Sequence, residues 1–314
     1  MPSGILEQIG QTPLVPLRSI ARGLPHPVLV KCEHLNPGGS VKDRIAKAIV
    51  DDAEQRGVLR PGMTLIEATA GNTGVGLALV AAARGYRLVC VMPEKMSVDK
   101  RASLAAMGAQ LVITPNAPPD SLENFRNVAE RLAKERGYFL TDQFRNPANV
   151  AVHAATTGAE ILEQTAGLVG AFVAGAGTGG TISGVGRHLK ASLRTVRVVL
   201  ADPLGSGLAD WVDTGVLGPD GSYAVEGIGG SAVPENLHRE VIDAAERVSD
   251  EDSFAMAKRL VREEGLLVGG SAGTNVVAAV RVAARGGLGG PVGTVLPDGL
   301  DRYLATPWLR AWSE

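Results

Sequence analysis

Lys42 stands in the run Glu33-His-Leu-Asn-Pro-Gly-Gly-Ser-Val-Lys-Asp-Arg44, where the pattern places it one turn into a helix that follows directly on an apolar strand, Val28 to Cys32. The positive end of a helix disfavours a cation by a few tenths to about 1 kcal/mol, whereas Ser40 as N-cap and Asp43 in the first turn suit it. A lysine there either leans into water or has its charge suppressed for a purpose. In the second case it is an amine able to attack a carbonyl or to take a proton from carbon. Three glycine-rich turns each follow an expected strand and open a helix, the geometry in which backbone N–H groups and the helix dipole meet an anion. Thr69-Ala-Gly-Asn-Thr-Gly74 offers two hydroxyls and an amide, with no lysine of the Walker type. Its N–H groups with Thr69 and Thr73 suit a carboxylate, and Asn72 could donate to a phenolate-like oxygen; an Asx-type turn that only caps the helix is the alternative. Gly175-Ala-Gly-Thr-Gly-Gly-Thr181 satisfies the dinucleotide fingerprint at Gly175, Gly177 and Gly180, with Asp202 where a ribose-binding acid would stand, so a nicotinamide oxidoreductase is a rival. Thr178 and Thr181 add hydroxyls better suited to wrapping a terminal monophosphate. Gly269-Gly-Ser-Ala-Gly273 matches the nucleophile elbow of hydrolases, whose histidine must follow the serine. The last histidine is His238, so that triad lacks its base, and Ser271 is left as an N-cap, a hydroxyl offered to a ligand, or both.

The elements that position these turns alternate as parallel strands and crossover helices do. Thr64–Ala68 reads as a strand, Gly74–Arg84 as a helix stopped by Gly85, and Arg87–Met92 as the next strand. Ser97 caps a helix to Met107, and Gln110–Thr114 completes a βαβαβ unit. A helix Ser121–Arg136 puts Phe125, Val128, Ala129 and Leu132 on a core face, and Tyr138–Thr141 ends this half before the loop Asp142–Asn149. The second half reads as a helix Val150–Gln164, a strand Val169–Ala174, a helix Thr181–Ala191 and a strand Val196–Ala201. An irregular stretch 203–235, helices at about 236–246 and 250–264, and a final strand Val292–Leu296 follow. The expected fold is α/β: two doubly wound three-layer α/β/α domains, 1–148 and 149–314.

With 314 residues, 45% apolar and 20% charged, the chain is long enough for two buried cores. A net charge of −2, 4% aromatic residues and no basic run speak against nucleic acid as a partner. No segment approaches about 18 uninterrupted apolar residues and no basic-then-apolar leader opens the chain, so neither membrane nor secretion is expected. Cys32 and Cys90 lie in apolar strand-like runs as packed thiols, which fits a reducing cytoplasm. Histidines 26, 34, 153, 188 and 238 show no ligand spacing, and no metal site is expected.

An amine, a carboxylate turn, a phosphate turn and a buried serine can be read as one site, and pyridoxal phosphate needs all four. With these residues in view, the sequence resembles, over nearly its whole length, the cysteine synthase and cystathionine β-synthase group of fold type II pyridoxal phosphate enzymes, whose fold is like that of the tryptophan synthase β-subunit. The segment Asn36-Pro-Gly-Gly-Ser-Val-Lys-Asp-Arg44 matches the family's lysine segment and by implication makes Lys42 the Schiff-base residue. Thr69, Ala70, Gly71, Asn72 and Thr73 resemble its substrate-carboxylate loop, with Asn72 also against the cofactor's ring oxygen, and Gln143 its second carboxylate-binding position. Gly177, Thr178, Gly179, Gly180 and Thr181 look like the phosphate loop and Ser271 like the partner of the pyridine nitrogen. Val225-Glu-Gly-Ile-Gly229, which brings Gly227 to the substrate, and Glu264–Gly273 look closer to the cystathionine β-synthase branch.

The resemblance implies a β-replacement joining serine or O-acetylserine to sulfide or homocysteine: Lys42 takes the α-proton, the leaving group departs, and a thiol or sulfide adds to the aminoacrylate. It also implies a homodimer, a crossing of residues 12–33 to the other domain, and a mobile subdomain of about 88–132. Ala70 stands where most members have serine and Gly230 where cystathionine synthases have an aromatic, which puts leaving group and second substrate in doubt. Neither haem nor S-adenosylmethionine control is expected. A non-catalytic binding relative is a further alternative.

Overall fold

The computed structural model describes residues 4–312. Strands β1 (Leu14–Pro16) and β2 (Val28–Lys31) come first, followed by α1 (Lys42–Gln55), β3 (Thr64–Ala68), α2 (Asn72–Arg84), β4 (Arg87–Pro93), α3 (Val98–Ala106) and β5 (Gln110–Thr114). Then come α4 (Phe125–Arg136), β6 (Phe139–Leu140), α5 (Ala148–Val152), a π-helical turn His153–Gly158, α6 (Ala159–Gln164), β7 (Ala171–Ala174), α7 (Gly180–Ser192), β8 (Arg197–Pro203) and α8 (Leu208–Thr214). The chain closes with β9 (Ala244–Val248), α9 (Asp250–Glu264), α10 (Gly270–Arg285), β10 (Val292–Val295) and α11 (Pro307–Arg310). It divides into two compact units: Asn36–Asn149 with the residues up to Ile9, and Gly10–Leu35 with Val150 onward. Among the described residues no helix is long and apolar enough to cross a membrane.

The first unit is a four-stranded parallel sheet in the order β5-β4-β3-β6. Successive residues of β3 face opposite ways: Leu65 packs with Leu77 and Val80 of α2, and Ile66 with Val128 and Ala129 of α4. Both faces are therefore covered, as a parallel sheet requires. The second unit has a six-stranded sheet, β1-β2-β10-β7-β8-β9, parallel except for β1. One face carries Val28, Val30 and Val173 against Val276 and Ala279 of α10; the other carries Phe172 and Val198 against Ile182, Val185 and Leu189 of α7. Each unit is thus a three-layer α/β/α arrangement of the kind the alternating pattern predicts. In each, the sequential strands run outward and a later strand returns to the starting side. The order reverses between β3 and β6 in one unit and between β7 and β10 in the other, and such switch points open a crevice at the strands' carboxyl ends.

Several boundaries differ from the sequence expectation. The stretch near 236–246 is not a helix but a 3-10 turn, Arg239–Val241, followed by β9, because Glu246 and Val248 alternate inward along a sheet edge. The irregular stretch 203–235 contains the helix α8. The helix expected from Ser121 starts at Phe125, since Asn124 caps it by accepting from Arg126 N–H at 3.0 Å. The helix expected over Val150–Gln164 is broken by the π turn.

Candidate active site

In the first unit Lys42 is the opening residue of α1, not one turn into it, and the strand preceding it in sequence, β2, belongs to the sheet of the other unit. Ser40 caps from one position further out than expected, its Oγ accepting from Lys42 N–H at 3.2 Å while Val41 occupies the cap position. Ahead of it Asn36-Pro37-Gly38-Gly39 makes a tight turn closed by Gly39 N–H to the Asn36 carbonyl at 2.7 Å. The buried Asp43 carboxylate folds back and accepts from Gly38 N–H, and a Cβ on Gly38 would stand 2.5 Å from that carboxylate. The turn and the first turn of α1 are thereby locked as one piece. Lys42 itself is half-buried.

Gly76 brings α2 against this piece. A Cβ there would lie 3.0 Å from the Ala46 side chain and 3.1 Å from the Lys42 carbonyl, so the two helices pack closely beside Lys42. The turn Thr69–Thr73 leads into the same end of α2: Gly71 N–H donates to Thr69 Oγ1 at 3.2 Å, and Asn72 and Thr73 form the first turn. Gln143, from the loop after β6, is buried and accepts from the Thr73 hydroxyl. Lys42, Thr69, Ala70, Gly71, Asn72, Thr73 and Gln143 are therefore all placed around the β3/β6 switch point.

Beneath Gln143 lies a residue the sequence reading passed over. Glu67, in the middle of β3 and fully buried, accepts from Gln143 N–H at 3.2 Å, from Ala68 N–H at 3.1 Å and from the Thr141 hydroxyl. Burial pushes its carboxyl above the usual range, and these hydrogen bonds oppose that push. A lone acid inside the apolar run Thr64-Leu-Ile-Glu-Ala68 is the signal that could have marked it.

In the second unit the turn Gly175–Thr181 follows β7. Gly179 has φ +85°, and a Cβ there would stand 2.6 Å from Leu237 N; on Gly177 it would stand 2.2 Å from the Gly227 carbonyl oxygen. Both positions require glycine. Gly229 N–H donates to the Ala176 carbonyl at 2.8 Å, so Val225–Gly229 lies directly on this turn and brings Gly227 to it. Asn275, buried on α10, holds the two strand ends at the switch point: its Oδ1 accepts from Gly175 N–H at 2.7 Å and its Nδ2 donates to the Val295 carbonyl at 2.9 Å. Ser271 is buried in the first turn of α10, whose cap is Gly269, so it is not the N-cap.

The helix ends differ in a telling way. The structural helix α9 begins with Asp250, Glu251 and Asp252 and is capped by Ser249. By contrast α2, α7 and α10 have no acidic residue in the first turn and no side-chain cap. The first four N–H groups of a helix lack intrahelical partners, and an external anion satisfies both them and the dipole. A terminal phosphate fits the end of α7, where glycines leave room and Thr178 and Thr181 add hydroxyls; a carboxylate fits the end of α2.

The dinucleotide alternative loses its ribose ligand. Asp202 is buried at the end of β8, and its Oδ2 accepts from Ala209 N–H of α8 at 2.8 Å, so it is a structural cap. Burial, opposed by that bond, raises its pKa from 3.8 to about 6. The folded state then holds the proton to higher pH than the unfolded chain, and stability falls as pH rises through that window. The shift of roughly 2 units corresponds to about 3 kcal/mol lost between pH 4 and 7. Asp202→Asn is expected to remove that slope in urea unfolding of the apoprotein. Parallel pH profiles for the two proteins would show the assignment to be wrong.

Two doubly wound units with uncapped helix ends at their switch points, and a lysine set against one of them, define an α/β enzyme built to hold anionic groups. The chain belongs to the pyridoxal-phosphate-dependent enzyme family, whose profile matches residues 5–298. It is 45% identical over 314 residues to a cystathionine β-synthase of Apis mellifera, an alignment covering 99% of this chain and 62% of the bee protein. It is 43% identical over 304 residues to a cysteine synthase of Staphylococcus aureus, covering 96% of each. Among solved structures, O-ureido-L-serine synthase superposes with a TM-score of 0.89 at 40% identity, over 99% of this chain and 96% of that one. The chain thus spans less than two thirds of the bee relative and nearly all of the bacterial one. The resemblance read from the lysine segment and the phosphate turn holds, and pyridoxal phosphate is the cofactor.

Proposed function

We propose that this chain catalyses a β-replacement in sulfur amino-acid metabolism, joining serine or an O-activated serine such as O-acetylserine to a sulfur nucleophile, as a cysteine synthase (sulfide) or a cystathionine β-synthase (homocysteine). The observation that supports it is the close packing of the first turn of α1, which carries Lys42, against α2, whose opening turn has neither an acidic residue nor a side-chain cap. Names of the relatives agree with it: two are named as synthases of cysteine or cystathionine, and the third as a synthase of O-ureido-L-serine.

Bound cofactor supplies an electron-withdrawing ring that makes the substrate's α-proton removable and its β-substituent a leaving group. The protein does the rest. Lys42 would hold the cofactor through its Nζ and, as a free amine, would hold and return the α-proton; the helix end behind it disfavours a positive charge on that amine. Thr69–Thr73 and Gln143 fix the substrate carboxylate, so that only the Cα–H bond presents itself to Lys42. Gly177–Thr181 hold the phosphate through N–H and O–H donors. Ser271 would offer the pyridine nitrogen a hydroxyl and not a carboxylate, a partner that does not hold a full positive charge there. Gly227 lies on the phosphate turn, next to the substrate. Movement of about residues 88–132 over the carboxylate excludes water.

The test is direct. Adding O-acetyl-L-serine to the holoenzyme should change the cofactor absorbance, and sulfide or homocysteine should restore it, the faster of the two naming the second substrate. An unchanged spectrum with both serine and O-acetylserine would refute the β-replacement reading and favour a non-catalytic binding relative. The working protein is expected as a homodimer in the cytoplasm, to be checked by light scattering and fractionation.

A further inference from the structure

His153 opens the π-helical turn between α5 and α6 and is 1% exposed. Its ring lies between two hydroxyls. Nδ1 is 2.9 Å from Oγ1 of Thr157, one turn on, and Nε2 is 3.2 Å from Oγ1 of Thr181, in the first turn of α7. Glycines build this placement. On α7 a Cβ at Gly184 would stand 2.4 Å from the Val150 carbonyl and 2.6 Å from the His153 Cβ; on the π turn a Cβ at Gly158 would stand 2.8 Å from the His188 Cβ. The two helical segments meet at near-backbone distance, and that separation puts the imidazole within reach of Thr181. A single π turn re-aims side chains that a regular helix would place elsewhere, and such turns are frequent at functional positions.

The two neutral tautomers have opposite consequences. With the proton on Nδ1, Nε2 must accept the Thr181 hydroxyl proton, and Thr181 turns only lone pairs toward the end of α7, where they repel an anion. With the proton on Nε2, Thr157 donates to Nδ1, Nε2–H donates to Thr181 Oγ1, and the proton of Thr181 is left for an acceptor beyond. Three dipoles then point the same way and strengthen one another. We propose that His153 is a positioning residue which, as the Nε2–H tautomer, fixes the Thr181 hydroxyl as a donor to the cofactor phosphate. The proposal rests on the reading that Gly177–Thr181 hold that phosphate.

Cofactor dissociation and the phosphorus-31 resonance of the holoenzyme test it. His153→Phe keeps a ring without hydrogen bonds and should weaken cofactor retention about tenfold, with a shifted phosphorus signal, while His153→Gln, which keeps a donor near the Nε2 position, should stay within about threefold of the parent. Thr181→Val should lose at least as much, and His153→Phe added to it should cost nothing further. Full additivity in the double variant, or an unshifted phosphorus signal in His153→Phe, overturns the positioning role. Thr181→Val that leaves retention and signal unchanged overturns the phosphate-loop reading itself. Should His153→Phe not fold, nitrogen-15 spectra of the unmodified holoenzyme decide: a His153 protonated on Nε2 supports the proposal, and one protonated on Nδ1 refutes it.

Discussion

Replacing Lys42 by alanine is expected to lower turnover by at least about a thousandfold, because one amine serves as both the cofactor's tether and the base at Cα. The fold should survive. Lys42 is half-buried at the first position of α1, its backbone is held by Ser40 and by the turn that Asp43 locks, and alanine is the best helix former. Borohydride reduction of the parent holoenzyme followed by peptide mass spectrometry should place the adduct on Lys42, and the variant should yield no stable adduct. A variant that retains more than a few per cent of activity, or an adduct on another lysine, would remove Lys42 from the mechanism.

The largest loss of stability is expected at a different lysine. Lys31 ends β2 and is completely buried; its ammonium is 2.6 Å from Glu160 Oε2 and donates to the Thr12 carbonyl at 2.6 Å and to Gln164 Oε1 at 2.9 Å. All three of its N–H bonds are thus matched. Glu160 lies on α6, so the pair ties the end of β2 to a helix distant in sequence. Lys31→Ala strands the Glu160 carboxylate away from water and should cost about 3–5 kcal/mol in urea unfolding of the apoprotein. Lys31→Met combined with Glu160→Gln should cost much less, since it leaves no uncompensated charge. If the single and double variants were equally destabilised, lost packing and not stranded charge would explain the effect.

What could be read from the sequence divides along physical lines. The βαβαβ run from Thr64 to Thr114 was legible because each strand is a β-branched run, each helix ends on glycine, and all its pairings are between neighbours. The three anion turns were legible because glycine and hydroxyl residues between a strand and a helix admit few other readings. Glu67 and His153 were not, since their roles come from partners about seventy-five and twenty-eight positions away, with no local spacing to announce them. Asn275, a hundred positions from Gly175, is hidden in the same way. Helix α8 was missed because its seven residues are enclosed by glycine and proline, and its stability comes from Asp202 and from Leu208 and Val212 packing into the core. The strand β9 reads as helix because Ala244, Ala245, Glu246 and Arg247 are all good helix formers, a local preference that pairing with β8 overrides.

The position of β10 bears on how this molecule comes into being. It lies between β2 and β7, with Val292 beside Val28 and Ala171, so one of the two central strands of that sheet pairs with a strand about 260 positions earlier. About 260 further residues must leave the ribosome before β2 meets β10, and until then the apolar hairpin it forms with β1 is left with an open edge. Nascent chains of this protein are therefore natural clients for chaperones, and a premature stop ahead of Val292 leaves an aggregation-prone fragment with the strand at the middle of its sheet missing.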